Sequence, residues 1–318
     1  MIFLLTNERD ITTDYIVLEL RRRGIPYFRL NSERLGESRT ILRPASSRSW
    51  TLQLGKRTLE TANIQAGYYR RPGAPMPRSN VTDPAHRNYV KSEWSLVQQS
   101  ISSAIGDRWL NSPWAIARAE DKPSQLIAAT ALGFDVPETL ISNDHAALRD
   151  FVSAAPTILK PLREALLSGD GEERVMFTTE ISSIPDDAAE AIEAAPVIAQ
   201  RLVRKVLDIR VTVVGESVFS ASISSQGHDE TRIDWRRGSN PDLPHAVHRL
   251  PEQLERRCVE LVHRLNLRFG AIDLVLDEAG AYWFLEINPN GQWAWIENRT
   301  QLPIAKAIVD ELVRIATK

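Results

Sequence analysis

Three oxygen-bearing side chains near the end of the chain could hold a hard metal ion. Asp273 lies in an apolar run, residues 271–276, while Glu286 lies in a second run, residues 282–287, and Asn288 follows it. The two-residue period of a strand puts Glu286 and Asn288 on one face, and a hairpin can bring Asp273 opposite them. Oxygen ligands from two strands, with room left for water and phosphate oxygens, suit Mg²⁺. The spacing therefore predicts a magnesium site on a hairpin.

The same hairpin has an ordinary alternative, in which its charged groups lie at the solvent edge. Gly280, in the acidic turn between the two runs, fits a tight hairpin in either case. Most carboxylates with perturbed surroundings are structural, so two acidic residues on apolar strands do not by themselves define a site. Counter-charges elsewhere in the chain must decide between the two interpretations.

Two lysines stand at the ends of predicted elements upstream. Lys122 begins a helix, and Lys160 ends a strand that Pro161 stops. A polar loop containing Gly169 and Gly171 follows, and its backbone amides could approach phosphate oxygens. With two glycines alone, an ordinary hairpin loop is the interpretation that the local sequence favours.

Strand patterns and a long irregular segment follow this loop. Residues 197–202 form an apolar strand, and the next strand places Asp208 and Arg210 on one face. Residues 224–244 lack periodicity but contain the sequence Asp-Trp-Arg-Arg from Asp234 onwards. A loop of that length in a compact domain is usually functional or mobile.

The first thirty residues read as strand, helix and strand, which predicts a parallel crossover unit. No glycine-rich loop follows the first strand, so the unit is not interpreted as a dinucleotide site. A later predicted strand ends at the pair Arg70 and Arg71, which could hold a carboxylate or a phosphate. A solvated rim is an equally good interpretation of such a pair.

Composition excludes several classes of protein. At 318 residues the chain is long enough for two or three domains, and its net charge of -2 predicts no nucleic-acid partner. Cys258 is the single cysteine, which rules out an internal disulfide framework and a multi-cysteine metal site, and makes a reducing cytoplasm the expected compartment. The sequence has no signal peptide and no apolar run near the ~18 residues of a membrane helix, so no membrane is expected.

The order of these features resembles the ATP-grasp superfamily over residues 121–318. The resemblance implies an α/β fold of three parts: an N-terminal parallel α/β pre-ATP-grasp domain, a small central α+β lobe, and a C-terminal antiparallel-sheet lobe with the metal site. The expected boundaries are 1–118, 119–195 and 196–318.

The resemblance also implies a role for each polar position. ATP and Mg²⁺, as two ions, would bind between the lobes. Two lysines would bind the α and β phosphates, and the glycines of the polar loop would bind the β and γ phosphates. Backbone groups at the end of one strand would bind the adenine, and Gln200 would assist that contact. The residues are, in that order, Lys122 and Lys160; Gly169 and Gly171; Arg201, Leu202 and Val203; then Asp208 for the ribose and Asp273, Glu286 and Asn288 for the metal.

One position departs from the superfamily pattern. Many members carry an arginine just before the aspartate of the metal strand, where this chain has Ala271 and Ile272 before Asp273. Arg210 is the expected replacement as a phosphate clamp, as in the branch that has Asp-Ile-Arg on that strand.

A finer resemblance, to the graspetide synthetases, spans nearly the whole chain. These are the microviridin-type ATP-grasp maturases of ribosomal peptides. The matching motifs are Leu-Leu-Thr-Asn (4–7), Tyr-Arg-Arg-Pro (69–72), Asn-Ser-Pro (111–113), Asp-Ile-Arg (208–210), Asp-Trp-Arg (234–236) and Glu-Ile-Asn-Pro-Asn-Gly-Gln-Trp (286–293). The phosphate loop of that family is usually richer in glycine than residues 161–173 here.

That family implies a precursor peptide with a leader segment as the substrate. Its Asp or Glu side chains would be activated as acylphosphates and closed onto Ser, Thr or Lys side chains, as macrolactones or macrolactams. Arg210, Arg236 and Arg237 are the candidates to receive the carboxylate or acylphosphate, and Asp234 or Glu286 could act as a base. The Asp-Trp-Arg loop could equally be a structural clasp.

Two other functions stay open from the sequence. One is a carboxylate-amine ligase of the glutamate-ligase type, acting on a free amino acid or a protein tail. The other is a nucleotide-binding regulatory protein without catalytic activity. A homodimer is a further expectation, to which the tryptophan-rich connector at residues 109–114 could contribute.

Overall fold

The computed structural model describes residues 1–46, 49–163, 166–169, 172–175, 178–227, 231–235 and 243–317. The chain begins with strand β1 (Ile2–Thr6), helix α1 (Ile11–Arg22) and strand β2 (Tyr27–Asn31). The Asp10 side chain caps α1 by accepting a hydrogen bond from the Thr12 amide. β1 pairs in parallel with β2, so the predicted crossover unit is confirmed.

A small antiparallel sheet and a long helix complete this region. Strands β3 (Arg39–Ile41), β4 (Thr51–Leu54) and β5 (Arg57–Glu60) form the small sheet, and β6 (Ala66–Tyr69) joins the other edge of β1 in parallel. Helix α2 (Pro84–Ile105) follows. Trp109 is buried among side chains of β1, β2 and α2, where it contacts Phe3 and Tyr69. It therefore packs the N-terminal region, while Trp114 stays exposed.

The middle of the chain folds around a four-stranded antiparallel sheet of order β11-β8-β12-β7. The elements are α3 (Pro113–Ala119), α4 (Lys122–Ala131), β7 (Thr139–Ser142), α5 (His145–Ala154), β8 (Thr157–Lys160), β11 (Thr179–Ile181), α6 (Ala189–Ala194) and β12 (Val197–Arg201), with β9 (Leu166–Gly169) and β10 (Glu172–Val175) paired as a separate antiparallel hairpin between β8 and β11. Helices α3, α4 and α5 begin after a capping serine or aspartate, whose side chain accepts from an amide of the first turn, whereas α6 begins without a side-chain cap.

The C-terminal part is a five-stranded antiparallel sheet of order β15-β14-β13-β16-β17. The predicted hairpin is formed by β16 and β17, and Gly280 has a positive φ of 83° in the turn between them. The elements are β13 (Lys205–Val214), β14 (Ser217–Ile223), β15 (His245–Val247), α7 (Glu252–Arg264), β16 (Phe269–Asp277), β17 (Tyr282–Asn288), α8 (Ala294–Thr300) and α9 (Ile304–Ala316).

Two cores hold this sheet in place. One lies against α7, where a Cβ on Gly270 would stand 2.7 Å from the Ile287 side chain and 3.0 Å from that of Val262. The other joins α8 and α9 to β1, β6 and α1, so the N-terminal and C-terminal regions share apolar packing. Within the described residues, no helix is both long enough and apolar enough to cross a membrane.

Candidate active site

A cavity of about 520 Å³ lies between the four-stranded and the five-stranded sheets. Cationic groups come from the side of the middle sheet, and carboxylates come mainly from the C-terminal sheet. The polar residues on its surface are Glu120, Lys122, Gln125, Lys160, Arg163, Thr178, Gln200, Asp208, Asp234, Asp273, Glu286 and Asn288. The structure therefore brings the predicted lysines and the predicted metal ligands to one cavity.

Strand register aligns the charged side chains of the C-terminal sheet. Arg210 of β13 pairs with Asp273 of β16, and Asp273 pairs with Glu286 of β17. Directly paired residues in antiparallel strands project to the same side of the sheet, so these three form one row. Asn288 pairs with Ala271, one step further along the same face. The predicted pairing of Asp273 with Glu286 is confirmed.

A β-bulge in β17 lies next to the second carboxylate. The register shifts by one residue between the Asp273–Glu286 pair and the Leu274–Phe284 pair, which leaves Leu285 as the extra residue. The bulge therefore lies directly beside Glu286, and Leu285 contributes apolar surface to the cavity.

Arg210 lies beside Asp273 and neutralises it. The Arg210 Nε stands 2.9 Å from Asp273 Oδ1, as an ion pair without the angle of a hydrogen bond, and both side chains are largely buried. The Arg210 guanidinium also lies 5.5 Å from the centre of the Trp235 ring. The carboxylate, which would be costly alone in an apolar sheet, is thereby compensated. The predicted contact between Arg210 and a substrate stays a prediction.

The two lysines are tethered by acceptors of the middle sheet and its neighbouring turn. Lys160 Nζ donates to Gln200 Oε1 at 2.9 Å, and Lys122 Nζ donates to the Pro161 carbonyl at 3.1 Å. Gln200 is fully buried and also donates to Thr139 Oγ1 at 2.8 Å. These contacts hold Lys160 in place, and the assistance to adenine binding that we expected of Gln200 stays a prediction.

The adenine contacts expected from the backbone at Arg201, Leu202 and Val203 stay a prediction. The Arg201 amide donates to the Glu138 carbonyl and the Leu202 amide donates to the Pro156 carbonyl, both at 2.9 Å. These two amides are used within the protein, so the predicted adenine contact would fall to the carbonyls of this segment and to the Val203 amide. Arg201, Leu202 and Val203 line a separate hollow instead of the cavity. The sequence could not reveal this, because both acceptors come from distant parts of the chain.

Asp208 is buried at the cavity wall and has partners on both oxygens. Lys205 Nζ lies 2.6 Å from Oδ1, and the Ser225 hydroxyl donates to Oδ2. Burial raises the pKa of Asp208 above its ordinary value, and Lys205 and Ser225 oppose that shift. The predicted ribose contact would use the remaining lone pairs of this carboxylate.

The structure describes two of the five remaining predicted site residues. Asp234 is buried and lines the cavity. Gly169 ends β9. Gly171, Arg236 and Arg237 lie outside the described residues. The roles expected for these five stay predictions.

Gln125 is a cavity residue that the sequence did not reveal. From α4 it donates to the Ala119 carbonyl at 2.6 Å and to the Ile287 carbonyl at 2.9 Å, and it accepts from the Ile287 amide at 3.1 Å. It thereby fixes β17, between Glu286 and Asn288, to the helix that begins at Lys122. A glutamine within an amphipathic helix gives no local signal of such a contact.

The donor set fits a magnesium ion that binds together with a phosphate ligand. Two carboxylates and one amide oxygen are hard ligands of the kind that Mg²⁺ accepts, and they leave positions for water and phosphate oxygens. Among the described residues, no group of three His, Cys, Asp or Glu side chains could hold a metal ion by itself. Asp273, Glu286 and Asn288 therefore suit a shared site rather than a complete protein cage.

Residues 117–312, more than half of the chain, match the RimK-like ATP-grasp domain. The chain belongs to the RimK-like ATP-grasp family. It is accordingly an ATP-dependent ligase with an ATP-grasp fold, and both of these predictions are confirmed. Comparison with curated proteins gives no match.

Solved structures resemble the ATP-grasp ligase over its full length. The macrocyclase MdnC from Microcystis aeruginosa MRC, bound with the precursor peptide MdnA, is 28% identical, with 99% of each chain covered and a TM-score of 0.83. The macrocyclase MdnB from the same organism is 25% identical, with 98% of each chain covered and a TM-score of 0.77. A RiPP-associated ATP-grasp ligase from Chryseobacterium gregarium shares the fold, with 22% identity, coverage of 98% and 96%, and a TM-score of 0.85.

Proposed function

We propose that this protein is an ATP-dependent peptide maturase. It activates Asp or Glu side-chain carboxylates of a ribosomally made precursor peptide and joins them to Ser, Thr or Lys side chains as macrolactones or macrolactams. The observation that carries the proposal is the likeness of 99% of the chain, at 28% identity, to a macrocyclase bound with its precursor peptide. A cavity with lysines on one wall and carboxylates on the other supports it.

The reaction has two steps. A carboxylate oxygen of the peptide attacks the γ-phosphorus of ATP, the bond to the bridging oxygen breaks, and ADP leaves, which gives an acylphosphate. A hydroxyl or amine of the same peptide then attacks the acyl carbon and releases phosphate, and its proton passes to a base. Asp234 is proposed for that base, because its carboxylate is buried at the cavity wall.

The lysine wall would bind the phosphates of ATP. Lys122 and Lys160 would neutralise the α and β phosphates as point charges, with Gln200 holding Lys160 in place. The amides of Gly169 and Gly171 are proposed to approach the β and γ phosphates. Such positive groups stabilise charge that shifts onto the phosphate oxygens during transfer.

The carboxylate wall would hold the metal. Asp273, Glu286 and Asn288 are proposed as ligands of two Mg²⁺ ions, which neutralise the phosphate charge when they are bound. Arg210, paired with Asp273 across β13 and β16, balances the carboxylates before ATP arrives. Together with Arg236 it is proposed to orient the peptide carboxylate near the γ-phosphate.

A carboxylate-amine ligase acting on a free amino acid or a protein tail is the second candidate, because the matching family model is RimK-like. It shares the first step with a peptide maturase but requires no leader. A cytoplasmic location, a leader segment in the peptide and a homodimer stay predictions.

Mass spectrometry tests the proposed function. The purified protein is incubated with ATP, Mg²⁺ and each short peptide encoded beside its gene. We expect the cognate peptide to lose one water per ring, with one ADP released per ring, and a leaderless version of the peptide to react far more slowly. ADP release driven by free amino acids, with every peptide unmodified, would instead support the second candidate.

A further inference from the structure

Two adjacent arginines at the end of β6 have no part in the proposed function so far. β6 ends at Tyr69, and Arg70 extends its pairing by donating its amide to the Leu5 carbonyl at 2.8 Å. The Arg70 side chain is buried, whereas Arg71 is partly buried and keeps a solvent-exposed portion. The two neighbours therefore differ in surroundings and need separate accounts.

The position of this pair in the parallel sheet is one where ligands commonly bind. In the sheet order β2-β1-β6, strand β1 is central, with β2 on one side of it and β6 on the other. The connection from β1 therefore leads to one side of the sheet, whereas β6 lies on the opposite side. Loops that leave the carboxyl ends of such strands in opposite directions open a crevice. Asn7 follows β1 and Arg71 follows β6 at this crevice.

Arg70 has structural partners. Its Nη1 donates to the carbonyls of Asn290 and Gly291, and its Nε lies 3.9 Å from Asp10 Oδ1. Asn290 and Gly291 belong to the turn after Asn288, whose side chain accepts from the Asn290 amide at 2.8 Å. Arg70 thus fastens the N-terminal sheet to the turn that carries a proposed metal ligand, and it brings Arg71 to the same place.

The backbone of Arg71 adopts a conformation that non-glycine residues rarely take. Its φ is 43°, and its carbonyl accepts a hydrogen bond from Asn7 Nδ2 at 2.7 Å. If the chain needed no more than a turn here, glycine or asparagine would provide it with less strain. An arginine in such a conformation points to a use for its side chain.

The charge of Arg71 is not compensated by an ion pair within the described part of the chain. Burial lowers the pKa of Arg71, and the like charge of Arg70 lowers it further. Arg71 stands near the cavity rim, because its neighbour Arg70 donates to the carbonyls of Asn290 and Gly291, and the preceding residues Asn288 and Pro289 line the cavity. A guanidinium crowded by a like charge gains from binding an anion.

We propose that Arg71 forms a carboxylate subsite at the rim of the cavity, which binds an acidic side chain of the peptide substrate. The ATP phosphates are met by lysines on the middle-sheet wall, whereas Arg71 approaches from the N-terminal sheet. A peptide that carries Asp or Glu supplies the matching anion, and a guanidinium can bind it through two parallel hydrogen bonds. Arg71 is a positioning residue in this account, which rests on the proposed function.

A first experiment tests the subsite without relying on ring formation. Arginines of the intact protein are modified with phenylglyoxal, and each site is followed by mass spectrometry, with and without an N-acetylated triglutamate amide as the probe. We expect the probe to slow modification of Arg71 severalfold and to leave exposed Arg39 unchanged. Equal rates at Arg71 with and without the probe would overturn the proposal.

A second experiment uses the cognate precursor peptide and the variants Arg71→Asn and Arg71→Lys, with Arg39→Asn as the matched control. Asparagine tolerates a positive φ, so the melting temperature of Arg71→Asn should equal or exceed that of the wild type. We expect its KM for the peptide to rise by about tenfold, more than kcat falls, with the KM for ATP little changed and partial rescue by lysine.

An unchanged peptide KM in Arg71→Asn would contradict the subsite, as would an equal loss in Arg39→Asn. If the wild-type protein forms no ring in any peptide, the proposed function fails, while the phenylglyoxal experiment still decides whether Arg71 binds a carboxylate. The failures of the two proposals are therefore distinguishable.

Discussion

The two walls of the cavity are built in different ways. The carboxylate wall belongs to β13, β16 and β17; the first two strands are buried along most of their length, β17 is mostly half-buried, and strand register places Asp273 between Arg210 and Glu286. The lysine wall belongs to a smaller sheet, in which β7 and most of β8 are half-buried. Side-chain hydrogen bonds, such as that from Lys160 to Gln200, position its charges.

This difference indicates how the two walls share the chemistry. Cross-strand neighbours in a buried sheet leave a side chain few alternatives, so the carboxylates are fixed before any ligand binds. A lysine side chain on a half-buried strand keeps more conformational freedom. Several cationic side chains together compensate the negative charge of the phosphates, so the loss of one leaves the others in place. We therefore expect changes in the carboxylate wall to cost more activity than changes in the lysine wall.

The largest effect is expected from Glu286→Gln, which keeps the shape of the side chain and removes its charge. We expect kcat for ring formation to fall by about 10²–10³-fold, the range seen when one preorganised charge-stabilising group is lost. ADP release and peptide mass, measured together, give the rate. Glu278→Gln, in the exposed turn of the same hairpin, is the matched control and should keep wild-type activity.

Lys160→Met should have a smaller effect, because Lys122 and Arg163 also line the cavity. Loss of one charged hydrogen-bond donor corresponds to roughly a 10–100-fold fall in kcat/KM for ATP. Steady-state ADP release at varied ATP concentration measures it, with exposed Lys56→Met as the control. If Lys160→Met lowered kcat/KM for ATP by a larger factor than the factor by which Glu286→Gln lowers kcat, the ranking of the two walls would be reversed.

Gly291→Ala tests the packing behind the carboxylate wall. A Cβ there would collide with the Ala271 Cβ and stand 3.3 Å from an Arg210 guanidinium nitrogen. We expect a loss of about 1–3 kcal/mol in the free energy of unfolding, from overpacking, measured by urea denaturation. Gly227→Ala is the control, since a Cβ at Gly227 meets open space. Equal stabilities of the two variants would show that the turn can shift without cost.

The smallest effect is expected from the ionisation of Cys258, whose thiol lies in the core that packs against the same sheet. Burial raises the pKa of its thiol to about 12. The folded state therefore keeps this proton over a pH range in which the unfolded state loses it. The contribution of the protonated thiol to the free energy of unfolding is complete below pH 9 and falls as the pH rises towards 12. Iodoacetamide should label Cys258 at a rate set by unfolding, and labelling of the native protein as fast as in urea would contradict this.

Local signals explain what the sequence predicted. Apolar runs and the turn at Gly280 are encoded by neighbouring residues, so the hairpin and the pairing of Asp273 with Glu286 follow from them. Lys122 is placed by the capping residue before it, since the Asp121 side chain accepts from the Ser124 amide and starts α4. Parallel pairing of β1 with β2 follows from a helix that connects them.

Contacts between distant elements explain what the sequence did not predict. Gln125 gains its role from β17, more than 150 residues away, and the amides of Arg201 and Leu202 are consumed by carbonyls of other segments. The bulge at Leu285 likewise depends on the partner strand. None of these arrangements leaves a pattern within one element, so fold and charge placement were predictable while the exact use of each polar group was not.

An isotope experiment tests the central claim most directly. The carboxylate oxygens of the cognate peptide are labelled with the heavy isotope of oxygen, and released phosphate is examined after ring formation. Attack of the carboxylate on the γ-phosphorus predicts one labelled oxygen in the phosphate released for each ring, together with ADP. Rings formed with unlabelled phosphate would contradict an acylphosphate and, with it, this account of the cavity.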